Sequence, residues 1–361
     1  MNAEEKVWPQ PVAPEGEGVE GEEENGGPLN LPQRCLDIIV SNVSFLDYVS
    51  SWRAVARHYS LDWYREHCRK VTIVPDDAPT ITKAFSVAER REGVVLIRPG
   101  RYVECVRVTR PVVLVGWGPR KQVIVDAPGW DSALVFAGLG LEKCMDTGER
   151  ATIRNLYFRC RNDQNNYPVR IVRGQPTISS CNIEGGVWVA GNQTDPLIRR
   201  CTIFNSRACG LRILDHSQAQ VLSNAVHSNR REGIIAERGA KPTIERNSIF
   251  GNGCDGLLIG REVWEEFEVV QDEQDDGQWI PIDSRFAEDP EIQKGEDLFE
   301  FQDSACPVIR ENEVERNGGH GVLARAAAFL IENVVRRNMG NSVMVEAVAE
   351  RQVLMRSNFF D

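Results

Sequence analysis

The sequence predicts a mainly β fold: a right-handed parallel β-helix solenoid with a small α-helical segment ahead of it. Three observations carry that prediction. First, an eight-residue unit recurs. Pro196-Leu-Ile-Arg-Arg-Cys-Thr-Ile203 is answered by Ala219-Gln-Val-Leu-Ser-Asn-Ala-Val226 and Pro242-Thr-Ile-Glu-Arg-Asn-Ser-Ile249, then by Pro307-Val-Ile-Arg-Glu-Asn-Glu-Val314 and Ala328-Phe-Leu-Ile-Glu-Asn-Val-Val335. With weaker copies at Ala151, Pro176 and Val353, the steps between units are 25, 20, 23, 23, 65, 21 and 25 residues. A period in the low twenties marks a solenoid. Second, apolar residues hold the third and eighth positions, and a later Gly precedes an apolar-x-apolar triplet, as in Gly210-Leu-Arg-Ile213 and Gly256-Leu-Leu-Ile259. Such pieces are strands and turns, too short for helices. The Leu-x-x-Leu-x-Leu of a leucine-rich repeat is missing. Third, the sixth position holds Cys181, Cys201, Asn224, Asn247, Asn312, Asn333 and Asn358. Equivalent residues on stacked coils lie about 4.8 Å apart, so these side chains form a ladder that satisfies turn backbone groups.

Taken in order, residues 1–28 hold Pro, Gly and Glu with almost no core material and read as a disordered acidic tail. They show no basic stretch followed by an apolar one, so no signal peptide is expected. No apolar run long enough to span a membrane occurs. The ten cysteines contain no Cys-x-x-Cys pair, which argues for reduced thiols in a cytoplasmic or nuclear protein, with no metal or cofactor.

Residues 29–70 change character. Leu36, Ile39, Val40 and Val43 recur at helical spacing after Leu31-Pro32, and Phe45, Leu46, Trp52, Val55, Tyr59 and Trp63 follow. Two or three short helices fit, a unit too small to stand without a neighbour or partner. Residues 71–150 enter the solenoid. Pro79-Thr-Ile-Thr-Lys-Ala-Phe-Ser-Val-Ala-Glu-Arg90 puts Ile81, Ala84, Phe85 and Ala88 on one helix face, and Gly93-Val-Val-Leu-Ile-Arg-Pro-Gly-Arg-Tyr102 is a strand running into a Pro-Gly turn. A helix there covers the open edge of the first coil. Repeats then fill 151–361, and the step of 65 is one repeat plus an insert at 262–304.

Two resemblances follow from these residues. Leu31-Pro-Gln-Arg-Cys-Leu-Asp-Ile-Ile39, Phe45-Leu-Asp-Tyr-Val49 and Trp63-Tyr-Arg-Glu-His-Cys68 resemble an F-box, with Val55-Ala-Arg-His-Tyr59 where that family carries Val-Cys-x-x-Trp. The passage from 71 onward is similar to the opening of pectin-lyase-like β-helix proteins. An F-box ahead of such repeats resembles F-box proteins whose substrate-binding part is a β-helix. That resemblance implies a substrate receptor in a cullin-type ubiquitin ligase. Leu31, Pro32, Leu36, Ile39, Phe45 and Trp63 would then bind a Skp-type adaptor.

Charge is unevenly spread. The chain carries −11 overall, but residues 1–30 hold −7 and the insert −14; removing both leaves the remainder at +10. A basic flank with Arg199, Arg200, Arg230 and Arg231 suits an acidic or phosphorylated protein target. No aromatic-rich basic face or RNA-binding motif points to nucleic acid. The insert interleaves Trp264 and Trp279 with its carboxylates, so it is expected to dock on the solenoid flank or on the target.

An enzyme reading has its own candidates. Gly319-His-Gly321 and Asn192-Gln-Thr-Asp195 resemble polygalacturonase motifs, without that family's paired Asp or Arg-x-Lys. The position before the repeated Gly stacks Glu232, Asp255 and His320 on successive coils, close enough for acid–base chemistry. Ordinary turn residues fit that position better, so the sequence favours a non-enzymatic receptor. The alternatives are a scaffold or cytoskeletal interaction protein, then an intracellular polysaccharide lyase, hydrolase or epimerase.

Overall fold

A computed structural model describes residues 71–88, 94–129, 131–137, 150–160, 167–260, 305–346 and 353–361. These fall within one compact unit, Lys70–Asp361. The tail, the F-box-like segment and the insert lie outside the described residues.

Each coil contributes three short strands, one to each of three parallel sheets. Sheet A has eleven strands, from Val71–Val74 to Val353–Arg356; sheet B has ten, from Gly100–Val103 to Phe359–Phe360; sheet C has nine, from Val106–Val108 to Val343–Val345. The chain runs A to B to C in every full coil and forms a right-handed β-helix. Strands this short hold together because every neighbour repeats their pattern. Ile178, Ile198, Val221, Ile244, Ile309 and Leu330 pair in register along sheet A, all buried. Ile183, Ile203, Val226, Ile249, Val314 and Val335 do the same in sheet B. With Phe136 and Phe158 they fill one continuous apolar core. Thr243 pairs directly with Val308, so the solenoid continues across the insert without losing a coil.

The only helix of more than one turn among the described residues, α1 (Ile81–Ala88), packs on the first strands of sheets A and C. Its N-terminus is capped twice. The Thr80 hydroxyl accepts from the Lys83 N–H at 3.1 Å, and the distant Glu104 carboxylate accepts from the Ile81 and Thr82 N–H groups at 2.9 Å each. Those are the donors that a helix leaves without an internal partner. Ile81 and Ala84 bury their side chains beneath it.

From Asn155 onward the corner between sheets A and B has one conformation. Asn155, Ser180, Arg200, Ser223, Arg246, Glu311, Glu332 and Ser357 all adopt φ between 52° and 60°. This left-handed region costs an L-residue about 1–2 kcal/mol. The cost is offset by a repeated hydrogen bond. The N–H of each such residue from Asn155 to Glu332 donates to the carbonyl of the preceding-position residue one coil on, at 2.9–3.2 Å. Just inside the corner runs the side-chain ladder. Asn224, Asn247, Asn312 and Asn333 each donate their Nδ2 to the Oδ1 of the next Asn at 2.9–3.0 Å and to a strand carbonyl at 2.8–2.9 Å. A second ladder, five residues downstream in each coil, lines the corner between sheets B and C. There Asn229, Asn252 and Asn317 donate to Asn252, Asn317 and Asn338 at 2.8–2.9 Å.

On the outer face of sheet B, Asp126 is buried between the Arg101 and Arg159 guanidiniums. Burial works against its charge, but the hydrogen bonds and charges of the two arginines hold its pKa below the ordinary value. A carboxylate depressed in the folded state stabilises it above the unfolded pKa near 3.9 and loses that contribution as pH falls through the folded value. Asp126→Asn is therefore expected to lower the urea midpoint near neutral pH, with the gap to the parent closing below about pH 4. A gap that stays constant from pH 7 to pH 3 would show that the charge is not what matters.

Candidate functional site

The stacked column Glu232, Asp255 and His320 lies at the corner between sheets B and C, each residue one coil from the next. Its carbonyls, the Asp255 carboxylate and the His320 ring meet the neighbouring backbone. The carbonyls of Glu232, Asp255, His320 and Asn341 accept from the N–H groups of Gly210, Gly233, Gly256 and Gly321 at 2.9–3.0 Å. Asp255 Oδ1 accepts from the His320 N–H at 2.5 Å, and His320 Nδ1 accepts from the Asn341 N–H at 2.9 Å. Glu232 is buried, with Arg231 Nε 3.6 Å from its Oε2. One coil earlier, the buried Cys209 thiol meets the Tyr167 hydroxyl at 3.1 Å, and burial pushes the thiol pKa up to about 12. The column ties turns together, and its imidazole and one of its carboxylates face main-chain amides.

The four arginines picked out by sequence separate into two pairs. Arg230 and Arg231 lie at the B–C corner, Arg199 and Arg200 at the A–B corner. The second pair has company. Arg154 and Arg199 occupy the same outward column of sheet A, with Ser179 on the coil between them. Arg120 and Lys121 come from a short 3-10 turn, Arg120–Gln122, between the sheet A and sheet B strands of an earlier coil. That connection is pinned at the corner by Asn155, whose Nδ2 donates to the Gly116 and Gly118 carbonyls at 2.8 and 2.7 Å. The Arg120 charge is felt by the ladder thiols Cys181 and Cys201. Arg120, Lys121, Arg199 and Arg200 are exposed and Arg154 is half-buried. Among the described residues, none of the five side chains forms an ion pair or hydrogen bond.

Further along, the same corner is neutral. Arg310 pairs with Glu245 at 2.6 Å and Arg246 with Glu311 at 2.7 Å, each pair bridging adjacent coils at the positions held earlier by Arg199 and Arg200. The upstream half thus carries five positive charges and no carboxylate at the equivalent positions, while the downstream half cancels its own. Arg154 belonged to the set by repeat register, since it holds the fourth position of its unit as Arg199 does. Arg120 and Lys121 gave no such signal, because their A–B connection is longer than the others.

The other outer faces are built differently. Along sheet B the rings of Phe204, His227 and Phe250 stack with centroids 5.7 and 4.9 Å apart, and burial lowers the His227 pKa. Along sheet C, Trp188 is sandwiched by the Arg170 and Arg212 guanidiniums at 5.5 and 5.1 Å. Arg212 in turn pairs with the buried Glu237 at 2.6 Å. Beside them Tyr167, Cys209, Ile235, Leu258 and Leu323 form a second buried apolar cluster. Among the described residues, no group of three or more His, Cys, Asp or Glu could hold a metal ion, and no helix is long and apolar enough to cross a membrane. The predicted contacts Leu31, Pro32, Leu36, Ile39, Phe45, Trp63, Trp264 and Trp279 lie outside the described residues.

Three solved structures illustrate what the chain is similar to. The mannuronan C-5 epimerase AlgE4 A-module of Azotobacter vinelandii matches at 15% identity over 79% of this chain and 73% of its own, with a TM-score of 0.49. The Dettilon tailspike protein matches at 10% identity over 81% and 61%, with a TM-score of 0.46. The pectin methylesterase from Aspergillus niger matches at 12% identity over 80% and 84%, with a TM-score of 0.37. Within the sequence itself, residues 140–263 match the family model described as the right handed beta helix region.

Proposed function

We propose that the chain is the substrate-recognition subunit of an SCF-type ubiquitin ligase, acting in the cytoplasm or nucleus. Residues 29–70 hold a Skp-type adaptor and its cullin complex, and the β-helix holds a protein target. The observation that carries the target half is the A–B corner, where five basic side chains, among the described residues, form no ion pair or hydrogen bond. Such an edge is suited to binding an acidic partner. The non-enzymatic part of the reading is supported by Asp255 and His320, whose Oδ1 and Nδ1 are taken up by main-chain amides of the next coil. The adaptor half is supported by the grouping of Leu31, Pro32, Leu36, Ile39, Phe45 and Trp63.

The test is co-purification. Full-length tagged protein is expected to bring down adaptor and cullin, and deletion of 29–70 to abolish both while the β-rich circular dichroism of 71–361 persists. Adaptor retained by the deletion variant, or never bound by the full chain, would sink the reading. Polyuronate incubated with the full chain is expected to keep its length and epimer composition; turnover would replace the receptor by a carbohydrate-active enzyme.

A further inference from the structure

The receptor reading leaves open what chemistry the basic corner selects, and the following inference rests on that reading. We propose that the corner is a phosphopeptide site, with one phosphate seated over Ser179 and Ser180 between Arg154 and Arg199. The two arginines project from the same column two coils apart, about 10 Å at the backbone. The residues between them, Ser179 and the corner residue Ser180, are small and uncharged, with Ser179 buried and Ser180 half-buried, so no third long side chain stands between the two arginines. A carboxylate has two oxygens and satisfies one guanidinium fork. A phosphate monoester carries about −1.5 to −2 charge and three acceptor oxygens, so a single group can engage forks from both sides. Arg200, next along the corner, adds a third cation on the Arg199 side.

The remaining charges define the reach of the ligand. Arg120 and Lys121 lie two coils before Ser180, again about 10 Å. An extended peptide advances about 3.3 Å per residue, so an acidic or second phosphorylated residue three positions from the first phosphate meets them. From Arg120 to Arg200 the basic edge spans three coil intervals, about 14 Å. That length suits four or five residues of peptide and is short for a nucleic-acid track, and the adjoining downstream coils are neutralised by their own Glu–Arg pairs. The regular corner fixes the backbone positions from which Arg154, Arg199 and Arg200 project. Because they are exposed, the interaction is expected to weaken steeply with salt.

An oriented peptide array tests this with the full-length chain. Peptides centred on phosphoserine, phosphothreonine or unmodified serine, with Asp, Glu or Ala scanned along the flanks, are probed beside single-stranded oligonucleotide spots. Phosphorylated centres are expected to bind at least tenfold better than their unmodified twins, with a preference for an acidic residue three positions away. Arg154→Ala with Arg199→Ala is expected to remove that tenfold difference, and Arg120→Ala with Lys121→Ala to remove only the flank preference. Arg337→Ala, an exposed change on a distant coil, is expected to do neither. Matched circular dichroism melts exclude misfolding of the variants. Equal binding to phosphorylated and unmodified centres overturns the proposal. So does a preference for the oligonucleotides that the same arginines carry. Adaptor co-purification measured on the same preparations keeps the outcome separate: adaptor bound without phosphate selection rejects the notch and leaves the ligase reading standing.

Discussion

Replacing Gly256 by alanine is expected to cost about 3 kcal/mol or more, enough to unfold a marginal domain. The glycine is there for closeness of approach. A Cβ at this position would sit 2.4 Å from Val314 Cγ1, 2.7 Å from the Gly321 carbonyl oxygen and 2.9 Å from Asn317 Nδ2. The first belongs to the core of sheet B and the other two to the next coil's backbone and ladder, so nothing nearby can yield cheaply. Gly251, five residues earlier, makes a matched comparison. It has φ of 62° and open space around its Cβ. Its equivalents on other coils, Ser228, Arg316 and Arg337, carry side chains in the same conformation. Gly251→Ala is therefore expected to cost about 1 kcal/mol. Urea melts of the two variants check the difference; equal losses would show that the contacts at Gly256 relax.

The second large effect is expected at Asn247. Its Oδ1 accepts from the Asn224 N–H at 2.8 Å and Nδ2 at 3.0 Å, and its own Nδ2 donates to the Val221 carbonyl at 2.8 Å and Asn312 Oδ1 at 3.0 Å. Alanine removes all four bonds and strands buried donors on Asn224. At about 1–3 kcal/mol for each buried group left unsatisfied, a loss of about 3–5 kcal/mol is expected. Asn247→Asp is expected to fare worse, since it keeps the acceptor, loses the donor and buries a charge. Lys241→Ala, exposed on the same coil, is expected to stay within about 0.5 kcal/mol. If Asn247→Ala were as mild as Lys241→Ala in matched melts, the ladder would not be what aligns the coils.

Why one ladder was legible in the sequence and the other was not follows from where they sit. Asn224, Asn247, Asn312 and Asn333 lie between two apolar positions of fixed spacing, so the strands announce their register. Asn229, Asn252, Asn317 and Asn338 sit in a turn whose other residues vary freely, Arg230-Arg231 on one coil and Gly253-Cys254 on the next. The Gly four residues after Asn229, Asn252 and Asn317 was visible, but its reason, the next coil's Asn, apolar side chain and carbonyl packed against it, needs coordinates. The site divides in the same way. Arg199 and Arg200 were conspicuous as neighbours in sequence, as were Arg230 and Arg231, yet only coil position decides that the two pairs occupy different corners. Arg120 and Lys121 reach the first pair through an irregular connection that no repeat pattern encodes. The adaptor segment rests on side-chain pattern alone, because its residues have no repeating neighbours to fix a register.

The uniform left-handed residue at the A–B corner has a consequence for how this edge can change. From Asn155 onward each coil turns that corner in the same conformation, and up to Glu332 each hands its successor the same hydrogen bond. Positions along the edge are therefore quantised, like marks on a ruler with a pitch of about 4.8 Å. A point substitution can change the sign or size of one mark but cannot move it by a fraction of the pitch. Gain or loss of a whole coil, by contrast, would shift every downstream charge by one full mark while leaving the core pattern intact. Partner preference on such a surface evolves in whole steps: which marks are charged, and how many lie between them.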